Sequence, residues 1–378
     1  MKKNKPILKA ISLSLMLLTT GSLYAQFGQL GQVLATGEDD ATEIFEAYLS
    51  PYANGMGAAL STGWYNTAKP HKLGGFDITV SFNVAMIPSS DQSYDANDLE
   101  LGDPANGLTV DVTGENSPTA AGKKNAGQTL TYNQNVPLVG DVPIASFNLP
   151  KGTGFAYTPM PMLQVGVGLM KESELNFRYS PDIEWGNGSK IGLWGVGIKH
   201  GIKQWIPALN KLPLFDLTLQ GGYTKMKSTT GLNFQASAYQ DMGINKPGDI
   251  VLDIPGYYDN QELLLDVSNF TANILVSGDF KIICIYGGVG ISSSKSTLQL
   301  NGNYPFPEMD PNSGQLQITE ETALTDPIDI TIKSTDGSAT KPRFNAGFRL
   351  KFAVVTINFD YTYANYSVAS AGLGISFR

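Results

Sequence analysis

The sequence predicts an all-β protein, an antiparallel transmembrane β-barrel of about ten strands (up to fourteen) preceded by a short helical, plug-like segment. Three observations carry that prediction. The last 36 residues alternate strictly between apolar and polar positions, the chain opens with a secretory leader, and its long and short connections fall on opposite sides. Side chains of a strand have period two, so such alternation turns one apolar face away from one polar face.

At the C-terminal end, Phe344, Ala346, Phe348, Leu350 and Phe352 share one face, and Arg343, Asn345, Gly347, Arg349 and Lys351 the other. Val355, Ile357, Phe359, Tyr361 and Tyr363 then oppose Thr356, Asn358, Asp360 and Thr362. A third strand sets Ala371, Leu373, Ile375 and Phe377 against Ser370, Gly372, Gly374 and Ser376. The apolar parity changes from even to odd between the first two strands, which requires an even connection; Phe352-Ala353 fits. The next connection is odd, and Asn365-Tyr366-Ser367 fits. Each strand has the roughly 9–11 residues needed to cross a bilayer at a tilt. A barrel shows the apolar face to lipid and keeps small and charged residues in its lumen.

Lys2, Lys3, Lys5 and Lys9 precede an apolar run from Ala10 to Leu18 and a small-residue stretch ending at Ala25. This is the pattern of a signal peptide over residues 1–25, cleaved to leave Gln26. No later segment is long and apolar enough for a spanning helix, so a membrane location requires a closed barrel, which satisfies every backbone group in lipid. The one cysteine, Cys284, excludes an intrachain disulfide framework and a multi-cysteine metal site. Loss of the leader's four lysines takes the formal charge from −8 to −12, against nucleic acid as a partner.

Residues 26–75 form a plug-like segment, lumenal or periplasmic, ahead of a barrel over 76–378. Glu38 to Leu49 has helical spacing, and the stretch from Pro51 to Gly57 is rich in turn formers. Trp64 and Tyr65 are the plug candidates, an aromatic pair expected to be exposed. Phe76 to Ile87 is the first barrel strand. Pro88 to about Pro161 reads as a polar loop. Further strands follow around Leu163–Leu169, Leu175–Tyr179, Lys190–Ile198 and Phe215–Tyr223, with a turn over Gly186–Ser189. A short basic amphipathic helix is expected over Ile198–Leu209, and two strands meet at a Gly278-Asp279 hairpin turn. Long polar loops start at Pro88, Lys227 and Leu300, and tight connections at Lys171, Gly278 and Phe352 fall on the other side, the asymmetry of outer-membrane barrels.

The segments Ser50-Pro51-Tyr52, Trp64 through Asp77, Gly197-Ile198-Lys199-His200 and Gln204-Trp205-Ile206-Pro207 resemble an uncharacterised Bacteroidota family of outer-membrane proteins. The resemblance implies a barrel and no activity. A plug-like segment ahead of a barrel is also similar in architecture to the long-chain fatty acid porins.

No catalytic constellation is predicted. His71 and His200 are the only histidines; both fall at the periplasmic end and read as surface or turn residues. Asp91, Asp95, Asp98, Asp103, Asp326, Asp329 and Asp336 read as solvated loop acids, without an EF-hand spacing. No metal or other cofactor is expected. By parity Arg178, Arg343, Arg349 and Asp360 face the lumen, where they pair with one another or form a solute-selective constriction. The functional expectation is an outer-membrane channel or transporter for small molecules, hydrophobic ones included, with lipid as surroundings. The alternative is a non-transporting structural or assembly barrel that docks a secretion or surface partner through acidic outer loops.

Overall fold

The structure, a computed structural model, describes residues 33–34, 36–185, 189–236, 250–251, 256–306, 308–309, 316–319, 322–332 and 340–377. The expected leader over residues 1–25, Gly186 to Gly188, Asp336 and Arg378 lie outside them.

Ten strands close a ring: β1 Phe76–Met86, β2 Tyr157–Gly168, β3 Ser173–Trp185, β4 Ser189–Gly201, β5 Phe215–Gly231, β6 Glu262–Phe280, β7 Ile283–Asn301, β8 Thr340–Phe352, β9 Val355–Tyr363 and β10 Ser367–Phe377. Each pairs antiparallel with the next, and β1 closes on β10 from Phe76↔Phe377 to Met86↔Ser367. Closure leaves the ring without a free edge. One further strand, Ile328–Ile332, adds to the upper part of β7 through Ser296 to Leu300.

The two faces have inverted polarity. Leu373 is 59 % exposed on the outside, while Ser376 on the same strand is 3 % exposed on the inside. Asp77, Thr79, Ser81 and Asn83 of β1 are buried, and Ile78 and Val80 are exposed. An apolar belt around a polar interior is the solution lipid imposes.

The connections 169–172, 202–214, 281–282 and 353–354 lie at the end shared with Phe76, the end that loop length leads one to expect on the periplasmic side. Two turns sit slightly later than parity alone suggests. β6 and β7 turn at Lys281-Ile282, three residues later than Gly278-Asp279, because Asp279 stays in the ladder opposite Cys284 and points inward to Arg349. β8 and β9 turn at Ala353-Val354, with Ala353 at φ 54° and Phe352 paired to Val355. The loop between β9 and β10 is three residues, Ala364 to Tyr366, one earlier than expected because Tyr366 is buried under the lobe described next. The amphipathic helix expected over Ile198–Leu209 is not there. Ile198 to Gly201 belong to β4, followed by a 3₁₀ turn at Lys203–Trp205 and α2 at Pro207–Asn210, since Gly201 and Pro207 interrupt any longer helix.

The outer end carries an ordered lobe where a polar loop is expected. Strands Leu108–Thr113, Thr129–Val136 and Gly140–Asn148 form a sheet. Its apolar residues are few because only one face is covered: Leu130 and Tyr132 are buried, and Leu108, Val110 and Val112 are half-buried.

The element that covers that face is α1, Glu38–Leu60. It runs 11 residues past Leu49, through Pro51, Gly55 and Gly57. In isolation Pro51 removes a helix hydrogen bond, yet packing on all sides outweighs the propensity. Glycine is required at 57, where a Cβ would lie 2.6 Å from Ser294 Oγ on β7.

Candidate functional site: the occupied lumen

α1 and the bends after it pass through the barrel from the outer lobe to the periplasmic end. Three levels of contact hold them.

At the top, Ala41, Ile44, Phe45 and Tyr48 of α1 share one apolar cluster with Leu130, Tyr132 and Leu149 of the lobe, Leu298 and Leu300 of β7, and Ile328, Ile330 and Ile332. Asp40, buried here, accepts from the Tyr132 hydroxyl at 2.7 Å and from the Gly102 N–H at 3.0 Å. Burial, reinforced by this bond, pushes the Tyr132 hydroxyl up from its ordinary value.

In the middle, two arginines from different walls grip the end of α1. Arg178 of β3 donates from Nη1 to the Leu60 carbonyl at 2.9 Å and from Nη2 to that of Thr62 at 2.5 Å. Arg343 of β8 donates to the Ser61 carbonyl at 2.5 Å and to Thr271 Oγ1 at 2.8 Å. The last carbonyls of a helix lack internal partners and form its negative pole, so cations there are doubly favourable.

Trp64 lies beneath, packed against the Arg178 guanidinium and against Gly197 and Gly222, which are paired neighbours on β4 and β5. Tyr65 donates to Asn345 Oδ1 at 2.8 Å and stands edge-to-face with Tyr286, whose hydroxyl donates to Asp360 Oδ2 at 3.2 Å. The expectation of an exposed aromatic pair is therefore corrected: Trp64 is 1 % and Tyr65 7 % exposed. The glycine pair leaves a slot that an indole fills, and no sequence-local pattern reveals it.

Lower down, Arg349 donates to Asn66 Oδ1 at 3.0 Å and pairs with Asp279 at 3.4 Å. Thr67 Oγ1 stands 3.5 Å from Cys284 Sγ, and Thr218 donates to the Ala68 carbonyl. All three lumenal arginines thus contact the chain's own segment 60–66, and Asp360 reaches it through Tyr286.

The periplasmic end has a cluster that sequence reading misses. Glu174 accepts from the His71 backbone N–H at 2.8 Å, contacts His71 Nδ1 at 2.8 Å and pairs with Lys199 Nζ at 3.0 Å. Asp77 Oδ1 lies 3.7 Å from His71 Nδ1, and Ser376 Oγ 3.1 Å from Nε2. His71 is 3 % exposed, which corrects the expectation of a surface residue. Two inward-parity charges, Asp77 and Glu174, are its sequence signal; Lys199 falls in the stretch expected to be helical. Donor atoms of His71, Asp77 and Glu174 lie within 4.8 Å of one another, a spacing that suits a divalent cation. However, Lys199 already supplies positive charge to Glu174, and the cluster is built as an ion-pair latch.

His200 lies beside Ser173, with Nδ1 2.9 Å from Oγ, while its Nε2 accepts from the Trp205 indole N–H at 3.0 Å. Indole only donates, so the ring proton is on Nδ1 and points to Ser173. In that tautomer His200 cannot take the Ser173 proton, and the pair is not an activated nucleophile.

Several acids of the outer loops are engaged within the protein. Asp95 caps the turn Ala96–Asp98 and accepts from Gln128, Asp103 caps Pro104–Asn106, and Asp91 accepts from the Tyr366 hydroxyl.

The chain belongs to the family described as "Family of unknown function (DUF6588)", whose model matches residues 1–377. No curated protein matches the sequence. Among solved structures it is similar to the attachment invasion locus protein Ail of Yersinia pestis, at 9 % identity, covering 81 % of this chain and 99 % of that one, TM-score 0.24. The translocator domain of the autotransporter NalP from Neisseria meningitidis gives 10 % identity, 82 % and 90 % coverage and TM-score 0.25. A mutant of the monoaromatic hydrocarbon channel TodX gives 10 % identity, 84 % and 75 % coverage and TM-score 0.25. At these TM-scores the likeness carries no functional implication.

Proposed function

We propose that this chain is an outer-membrane barrel kept filled by its own N-terminal segment, serving as a non-transporting platform for a surface or secretion partner. The leader-like N-terminus and the apolar belt support the location. One observation carries the function: α1 belongs to two bodies at once. Its C-terminal carbonyls sit on Arg178 and Arg343 inside the barrel, while its N-terminal half supplies the core of the outer lobe.

Channel activity requires the segment to leave. Withdrawal would expose Ile44, Phe45 and Tyr48 and the lobe residues they cover. At about 1.5–3 kcal/mol for each large side chain, the cost approaches the whole stability of an ordinary domain, about 5–15 kcal/mol. It would also strip two buried guanidiniums of their acceptors. A plug made to move would not double as the core of another body.

Since acids of the outer loops are engaged within the protein, the partner-facing part of the lobe is one of its two edge strands, Gly140–Asn148, which carries exposed Ile144, with exposed Leu138 and Val139 in the turn before it. The test is conductance of the purified full chain in planar bilayers. The platform reading expects no unitary steps over the usual voltage range. Stable or voltage-gated steps from the full chain would overturn it in favour of transport.

A further inference from the structure

The direction of the lumenal segment fixes which side of the membrane the N-terminal part occupies. Val33 and Leu34 are buried in the same cluster as Leu298, Ile328 and Ile330 at the outer end. Asp40, in the first turn of α1, is bonded to Tyr132 and Gly102 of the lobe. A helix of 23 residues is about 34 Å long, so its other end lies deep in the lumen, at Arg178 and Arg343. The chain then continues to His71, and the Gly74 N–H donates to the Gly168 carbonyl at the periplasmic rim.

We infer that the described chain, from Val33 to Phe377, crosses the membrane eleven times, with the start of α1 facing outward and a periplasmic C-terminal strand end. The ten strands alone would leave both ends on the periplasmic side, since Phe76 and Phe377 are paired. The lumenal segment supplies the eleventh crossing. The wall closes on the far end of α1. Ala85 of β1, Met160 and Met162 of β2, Leu193 of β4, Met226 of β5, Val267 of β6 and Val368 of β10 close on Ala59 and Leu60. The start of α1 is therefore displayed at the cell surface beside the lobe. The inference deepens the platform reading and rests on its assignment of the loop-rich end as the outer one.

Thiol accessibility tests it, because the native Cys284 is buried and silent. Single variants Glu38→Cys, Asp39→Cys, Leu138→Cys and Leu73→Cys place a thiol at exposed positions at the start of α1, at the lobe tip and at the periplasmic end. Intact cells are treated with a membrane-impermeant maleimide, before and after permeabilising the outer membrane, and heat-dependent gel mobility confirms that each variant is folded. Labelling at 38, 39 and 138 in intact cells, with 73 reacting only after permeabilisation, is the expected result. Reaction at 138 with protection of both 38 and 39 in intact cells would overturn the inference while leaving the barrel's orientation in place. Reaction at 73 with protection at 138 would reverse the orientation and overturn the platform reading with it.

Discussion

The guanidinium carbon of Arg178 stands 3.6 Å from the centroid of the Trp64 ring, and the same ring lies where a Cβ on Gly222 would come within 2.5 Å. A cation over an indole face is favourable, more so when desolvated. The arginine thus binds the segment twice, through the Leu60 and Thr62 carbonyls and through the ring four residues beyond Leu60.

The first prediction concerns that slot. Gly222→Ala drives a methyl into the Trp64 ring and should cost about 1–3 kcal/mol, the usual range for overpacking. Trp64→Ala should cost about 3–5 kcal/mol. In the Trp64→Ala background the Gly222→Ala penalty should nearly vanish. Urea unfolding of the refolded barrel reads all three, and an unchanged Gly222→Ala penalty in that background would place the ring elsewhere.

Arg178→Met should loosen the segment without breaking the ring of strands. It leaves the Leu60 carbonyl without its donor and the Thr62 carbonyl with only Asn83 Nδ2 at 3.5 Å, and hydrogen bonds to a charged group contribute about 1.5–3 kcal/mol each. Limited proteolysis should then cut between α1 and β1 while strand content by circular dichroism is retained. Arg343→Met should do the same through Ser61. Resistance equal to wild type in both variants would mean that the arginines do not hold the segment.

The periplasmic latch predicts strong coupling between Glu174 and Lys199. Removing one partner of a buried ion pair costs about 3–5 kcal/mol because the other charge is stranded. Glu174→Gln should therefore destabilise by that order, and adding Lys199→Met should recover most of the loss. Additive penalties in the double variant would show that the two side chains are not paired.

On the barrel wall, Leu373→Arg should cost about 2–4 kcal/mol, as for charge at the bilayer midplane. Parity alone suggests that inward Thr356→Arg is milder. The filled lumen reverses that expectation, since Thr356 is 1 % exposed, and arginine there should cost at least as much. A mild Thr356→Arg together with a damaging Leu373→Arg would indicate free space in the lumen.

The last strands were legible because lipid on one side and a polar lumen on the other enforce period two over Phe344 to Phe377. Loop lengths then gave the ring its sidedness. The lower half of α1 was not legible, because Pro51, Gly55 and Gly57 are poor helix formers alone and stand in a helix only because the barrel wall presses on them. The lobe sheet was hidden by its half-polar strands. The inward parity of Arg178, Arg343, Arg349 and Asp360 could be read along each strand. The contacts of the three arginines to residues 60–66 could not, being links across more than a hundred positions. Thr67 and Cys284, 217 positions apart, are of the same kind.

That pair gives the most direct test of the central claim, that the N-terminal segment occupies the lumen. Thr67 Oγ1 lies 3.5 Å from Cys284 Sγ, so the single substitution Thr67→Cys sets a thiol within disulfide reach of the native one. After mild oxidation of outer membranes, denatured Thr67→Cys protein should retain no free thiol, and its non-reducing gel mobility should shift to that of a closed loop. Two freely alkylated thiols in a barrel that still shows heat-dependent mobility would contradict the account.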